Sequence, residues 1–244
     1  MNEFIKLNNV SVKYGENYAL KECNLTIEKG EFVAIIGQSG CGKTTLLRLL
    51  NGLTNQTDGE VFVNGQDLSN TDLIELRRNI GYVIQEIALF PHMNVEKNIS
   101  YVPNLLPKRD KKAIKENAKK YLQLVELDED MLERFPAELS GGQRQRVGIA
   151  RGLMSNPQLL LMDEAFSAVD EITRKSLQEM MLKLYKELGL TVILVTHDIK
   201  EALSMATRVL VMKAGQIEQD GTPNEILENP KTQFVEELAR DYRK

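Results

Sequence analysis

The segment Gly37-Gln38-Ser39-Gly40-Cys41-Gly42-Lys43-Thr44, followed by Thr45, has the spacing GxxxxGKT. Glycines let successive backbone N–H groups turn toward an anion with no Cβ in the way, and a helix starting behind them adds its dipole. Lys43 is placed to reach the β- and γ-phosphates of a nucleotide, and the Thr44 hydroxyl is a hard oxygen ligand of the kind Mg²⁺ takes. The bland alternative is a glycine-rich turn with a solvated lysine. Against it stands the context: the apolar run Phe32-Val33-Ala34-Ile35-Ile36 precedes the motif and a helical pattern follows it. Cys41 invites a redox reading, but no resolving cysteine is near in sequence, so a small loop residue is the simpler reading.

A second apolar run, Leu159-Leu160-Leu161-Met162, delivers Asp163 and Glu164 at its carboxyl end, where ligands of an open α/β sheet gather. Side chains alternate along a strand, so the two acids can serve different ends. Asp163 would hold Mg²⁺, directly or through water, and Glu164 would polarise an attacking water. Either acid alone could be a solvated strand end. Ser140, Gly141 and Gly142 expose a hydroxyl and backbone donors at a helix start, which suits an anion or merely an N-cap. His197 follows the apolar run Thr191-Val192-Ile193-Leu194-Val195.

These residues require a scaffold of alternating strands and helices. The amphipathic runs from Phe4 to Val12 and from Ala19 to Ile27 read as strands of an antiparallel layer, separated at Tyr14-Gly15. Continuous apolar runs at 32–36, 159–162 and 191–195 read as strands buried on both faces, the mark of a parallel sheet. Further strands are expected at 59–63 and 80–84. Helices are expected at about 43–53 and 172–188 and over much of 95–154, with the charged run from Lys108 to Lys120 as a solvated face. A hairpin is expected around Lys213-Ala214-Gly215, then helical segments after Pro223 and Pro230, each proline placed as a helix-start signal.

The 244 residues are 42% apolar and 27% charged, which allows an ordinary globular core. A net charge of -4 and a pI near 5.5 lack the broad positive field that nucleic-acid backbones attract, so no nucleic-acid partner is expected. The start, MNEFIKLNNVSVKY, does not read as a signal segment, and nowhere do roughly eighteen apolar residues run together. Cys23 and Cys41 form no C-x-x-C spacing, so reduced thiols are expected.

A phosphate loop with a carboxylate strand would also fit kinases, GTPases and helicases. Leu139-Ser140-Gly141-Gly142-Gln143, followed by Arg144-Gln145-Arg146-Val147, resembles the signature motif of ATP-binding-cassette (ABC) ATPases, and the resemblance covers essentially the whole chain in the family's motif order. It implies an α/β P-loop cassette with a mixed, largely parallel core sheet, an antiparallel β layer and an inserted helical subdomain. The expected division is one domain over 1–244, with the core at about 1–94 and 155–244 and the helical part at about 95–154. Tyr14 resembles the aromatic that stacks on adenine, and Gln85 the glutamine that senses Mg²⁺ and the membrane subunit. Asp170 resembles the acid of the loop crossing the dimer, and His197 the histidine that contacts γ-phosphate. The resemblance also implies that Ser140, Gly141, Gly142 and Gln143 complete the ATP site of a second copy. Further implied partners are a transmembrane permease and, indirectly, an extracytoplasmic solute-binding protein, with the chain on the cytoplasmic face of the membrane. Two residues depart from the pattern: Ala165 stands where importer relatives usually have proline, and Val169 where leucine is usual. Neither removes a catalytic group, but without proline's fixed φ the backbone between Glu164 and Asp170 could differ.

Gly81-Tyr82-Val83-Ile84-Gln85, Leu89-Phe90-Pro91-His92-Met93 and Ile172-Thr173-Arg174 most resemble ATPases of glycine betaine, carnitine or choline importers. Polar amino-acid importers are the alternative. ABC ATPases acting on ribosomes or DNA usually fuse two cassettes or insert long coiled coils, which this sequence does not do, and a stand-alone P-loop kinase would not explain 139–143. Relatives often append regulatory cystathionine-synthase-type domains. The sequence ends soon after its tail helices, so such regulation is expected to be absent or the chain truncated.

Overall fold

The computed structural model describes residues 3–85, 88–106 and 109–242; Lys108, at the head of the charged run, lies outside them. The strands are β1 (Glu3–Tyr14), β2 (Asn17–Glu28), β3 (Phe32–Gly37), β4 (Asp58–Val63), β5 (Gln66–Asp67), β6 (Ile80–Val83), β7 (Leu159–Asp163), β8 (Thr191–Val195), β9 (Arg208–Lys213) and β10 (Gln216–Gly221). The helices are α1 (Lys43–Leu50), α2 (Leu73–Arg78), α3 (Val95–Ile99), α4 (Tyr101–Asn104), α5 (Lys111–Leu124), α6 (Gly141–Leu153), α7 (Glu171–Leu188), α8 (Ile199–Met205), α9 (Pro223–Glu228) and α10 (Gln233–Ala239). Contacts divide the chain into two compact units, Met1–Arg77 with Thr191–Lys244, and Arg78–Leu190.

In the first unit, β2, β1, β4 and β5 form the expected antiparallel layer, in that order. A second layer runs β10-β9-β3-β8, with β3 parallel to both β8 and β9 and the β9–β10 hairpin closing it. Every residue of β3 from Phe32 to Ile36 is buried, as a continuous apolar run in a parallel layer demands. Ala34 and Ile36 join Val209 and Val211 of β9 in a core covered by Ala202 of α8, Ile226 of α9 and Val235 of α10. Alternation sends Val33 and Ile35 to the opposite face. Arg208 braces the layers, donating to Asp220 at 2.6 and 2.7 Å and to the Thr26 carbonyl at 2.9 Å.

The second unit contains the parallel pair β6 and β7, with Val83 opposite Met162. The described residues between 95 and 154 form α3 to α6 and short 3-10 turns, without a strand. In α5, Lys111, Lys112 and Lys115 lie in solvent while Ala118, Tyr121 and Leu122 are buried, so the charged run is a solvated helix face. Among the described residues no helix is long and apolar enough to cross a membrane.

Some boundaries differ from expectation. α1 stops at Leu50 because Gly52 turns the chain at φ 66, short of the expected Leu53. Pro223 does occupy the first turn of α9, behind a Thr222–Glu225 capping box. A helix also follows Pro230, but the proline does not start it: α10 is capped by Thr232, whose hydroxyl accepts from Val235 N. α2 and α8 were not expected, being too short to show periodicity.

Candidate functional site

β3 ends at Gly37 and α1 begins at Lys43, so the intervening loop forms the strand-to-helix turn that the spacing predicts. Gln38, Ser39 and Gly40 are exposed at its crest, and Thr44 and Thr45 sit half-buried in the first turn of α1. Close packing holds the loop from behind. A Cβ on Gly37 would collide with the Met212 carbonyl of β9, and one on Gly42 with the Ala19 carbonyl of β2. Lys43 is only 7% exposed, and its ammonium donates to the carbonyls of Gly37 at 2.8 Å and Gln38 at 2.9 Å. The charge is thus already gathered under the loop. Cys41 is buried and in no disulfide, with its sulfur 3.8 Å from the Lys43 nitrogen.

Two more candidates belong to this unit. His197 is exposed one residue beyond Thr196, whose N–H donates to the Ile35 carbonyl at 3.1 Å. The parallel register, Ile35 opposite Val195, puts His197 and the phosphate loop at the same carboxyl edge. Asp198 then starts α8 by accepting from Lys200 N at 2.9 Å. Tyr14 is 54% exposed, and its hydroxyl lies 3.4 Å from that of Thr54. An exposed ring in that posture offers a face for stacking.

In the second unit, β7 delivers Asp163 as its last residue, and parallel pairing brings the chain toward Gln85 to the same edge. Gln85 itself is exposed. Only Asp163 lies on the strand, so strand alternation does not govern the two acids as expected. Glu164 lies past the strand at φ 48, a left-handed conformation costly for a residue with a Cβ. Ser167 secures it, its N–H and hydroxyl both donating to the Glu164 carbonyl, at 3.2 and 2.8 Å. Arg174 of α7 then ties down the rest of the loop, donating to the carbonyls of Phe166 and Val169 at 3.2 Å each. Asp170 caps α7, accepting from the Thr173 N–H at 3.0 Å and the Thr173 hydroxyl at 2.7 Å. Those bonds hold its carboxyl below the usual aspartate range. Sequence reasoning used Ile172-Thr173-Arg174 only as a subfamily marker and missed both braces.

Ser140 caps α6 through a reciprocal box: its hydroxyl accepts from Gln143 N at 3.2 Å, and Gln143 Oε1 accepts from Ser140 N at 2.9 Å. The two glycines are not equivalent. A Cβ on Gly141 would meet nothing nearer than 3.9 Å, whereas one on Gly142 would lie 2.5 Å from Thr173 Cγ2. Gly142→Ala is therefore expected to destabilise the protein by about 1–3 kcal/mol, the usual range for overpacking. Thr173→Ser, which removes that methyl and keeps the hydroxyl bonded to Asp170, should restore most of the loss. Urea denaturation of Gly142→Ala, Thr173→Ser, their double variant and Gly141→Ala measures this. Equal stability of Gly141→Ala and Gly142→Ala would refute the packing account.

A glycine loop over a buried lysine, between a parallel strand and a helix, is the architecture of phosphate-loop nucleoside triphosphatases. The comparisons narrow the class. Residues 20–167 match the ABC transporter family, and the chain belongs to it. The glycine betaine/carnitine/choline transport ATP-binding protein OpuCA of Bacillus subtilis (strain 168) is 50% identical over 235 residues, 96% of this chain and 62% of that protein. The spermidine/putrescine import ATP-binding protein PotA of Haemophilus ducreyi is 46% identical over 237 residues, 95% of this chain and 61% of that protein. Among solved structures, the dimeric post-hydrolysis state of the ATP-binding cassette MJ0796 bound to ADP and Pi matches with a TM-score of 0.80 at 36% identity. That match covers 90% of this chain and 98% of that one. The chain thus spans 62% and 61% of the length of these two curated relatives.

Proposed function

We propose that the chain is the ATP-binding and ATP-hydrolysing subunit of an ABC importer for a quaternary-ammonium osmoprotectant such as glycine betaine, carnitine or choline. The observation that carries this reading is 50% identity over 96% of the chain to a protein named for transport of those solutes. The site residues supply matching chemistry. The loop from Gly37 to Thr45 takes the phosphates, Lys43 neutralises the terminal ones, and Tyr14 stacks on the base. Glu164 accepts a proton from the attacking water, and His197 contacts γ-phosphate. Thr44, Asp163 and Gln85 each offer an oxygen donor of the hard kind that Mg²⁺ takes, and the metal would offset charge on the β- and γ-phosphate oxygens.

The working form is a dimer in which Ser140, Gly141, Gly142 and Gln143 of one copy, with Asp170 of the crossing loop, complete the site of the other. The matched cassette MJ0796 is described as dimeric, which supports this arrangement. The reading includes a single cassette over 1–244, with the helical stretch 95–154 as its subdomain. It places the chain peripherally at the cytoplasmic face of the membrane, against permease subunits near Gln85, with a solute-binding protein serving the permease from the other side. Nucleic acid has no part in it.

Deleting the gene is expected to lower accumulation of radiolabelled glycine betaine, carnitine or choline in osmotically stressed cells while leaving glutamine, histidine and spermidine uptake intact. Loss of amino-acid or polyamine uptake instead would reassign the solute.

A further inference from the structure

We propose that the tip of the β9–β10 hairpin, through Gly215, positions the phosphate loop for nucleotide. The inference rests on the phosphate-loop reading above and assigns a role to a residue remote from the motif in sequence.

Gly215 N donates to the Cys41 carbonyl at 3.0 Å. Its own carbonyl accepts from Lys21 N at 2.9 Å and from the Cys23 thiol at 3.2 Å, both on β2. One residue therefore joins the loop, β2 and the hairpin. The effect on the loop follows from peptide geometry. In a trans peptide the carbonyl of one residue and the N–H of the next point in opposite directions. Holding the Cys41 carbonyl toward the hairpin turns the Gly42 N–H away from it, and Gly42 is the N-cap of α1, where an anion gains from the helix dipole.

The hairpin is built to reach this far and no farther. Ala214 and Gly215 both have positive φ, 47 and 80, and Lys213 faces Gln216, as in a two-residue type I′ turn with fixed hand. A Cβ on Gly215 would come 3.0 Å from the Ala19 carbonyl and 3.3 Å from Leu20 Cα, pressing the tip back from β2 and the loop. Ala19 is also the residue whose carbonyl abuts Gly42, so displacement there is passed to α1's first turn.

Gly65 provides a matched control. It lies in the β4–β5 turn at φ 73 with nothing near its absent Cβ, so alanine there imposes similar backbone strain without touching the loop. Gly215→Ala is expected to weaken ATP binding about tenfold, because the added Cβ asks for a shift of a few tenths of an ångström and a full ångström of misplacement can cost about a hundredfold, and to raise KM for ATP more than it lowers kcat. Gly65→Ala should leave ATP affinity within about twofold, the scatter expected for a change away from the site. Affinities would be measured well below the melting temperature, beside circular dichroism. If Gly215→Ala does not fold, Cys23→Ala against Cys23→Ser asks the same question, since only serine keeps a donor to the Gly215 carbonyl. Alanine should weaken binding and serine restore it. Equal ATP affinity across Gly215→Ala and Gly65→Ala, or across the cysteine pair, would overturn the proposal. Lys43→Ala, run in parallel, separates the two readings: if it binds ATP normally, the phosphate-loop reading fails and takes this proposal with it.

Discussion

Lys43→Ala should bind ATP at least about a hundredfold more weakly while keeping its fold. The lysine ammonium can donate to two phosphate oxygens, and charge-assisted bonds contribute about 1.5–3 kcal/mol each, so losing both exceeds the roughly 2.8 kcal/mol that a hundredfold represents. The residue's own setting limits the damage to stability. In the structure the ammonium bonds the carbonyls of half-buried Gly37 and exposed Gln38, which water can reach once the side chain is gone. Removing the group also removes the cost of keeping a cation in a site only 7% exposed. The two effects oppose, and the net change in stability should stay within about 2 kcal/mol, near the ordinary range for point substitutions. Equilibrium ATP titration and thermal denaturation on the same preparations test both halves. Unchanged affinity would remove Lys43 from the site; a collapsed fold would mean that its bonds to the loop carbonyls matter more than its charge.

The parts of this molecule that are spacings were legible in the sequence. GxxxxGKT between an apolar run and a helix located the glycine loop between β3 and α1, and the run Leu159 to Met162 located the strand that ends at Asp163, because strand burial and turn chemistry are both local. The parts that depend on tertiary contact were not. Nothing around Glu164 announces its left-handed backbone, since the Ser167 and Arg174 bonds that hold it exist only when the loop has closed on α7. Gly142 looked like an anion donor equal to Gly141, and only the approach of Thr173 distinguishes them. Pro230 carried a valid helix-start signal and lost to Thr232, a better cap two residues on. The same contacts bear on Ala165 and Val169. Ala165 is buried, and the Val169 carbonyl is bonded by Arg174, so side-chain braces order this stretch where a proline ring is lacking.

Glu164→Gln should bind ATP normally, hydrolyse it about 10²–10⁴ times more slowly, and accumulate as a dimer that the unmodified chain forms only transiently. The amide preserves the size of the side chain and its capacity to accept a hydrogen bond, but it cannot take up a proton. The backbone tolerates the change, because Ser167 holds the Glu164 carbonyl and not its side chain. Lys43, Thr44 and Asp163 are untouched, so affinity survives. If Ser140 and the glycines of a second copy grip the same γ-phosphate, intact ATP links the two chains, and slow hydrolysis leaves the link in place. Adding Ser140→Arg should release the dimer by placing a bulky cation where the hydroxyl meets phosphate. Ser140 also caps α6, so arginine there costs about 1 kcal/mol of stability, and the double variant's melting curve must be recorded to separate fraying from lost association. Light scattering with ATP and Mg²⁺, beside a phosphate-release assay and with the permease partner reconstituted, gives the answer. An ATP-loaded Glu164→Gln protein whose two copies on the permease fail to close, or a Ser140→Arg double variant that stays as tightly paired as the single, would exclude the bridged dimer and leave Ser140 as nothing more than a helix cap.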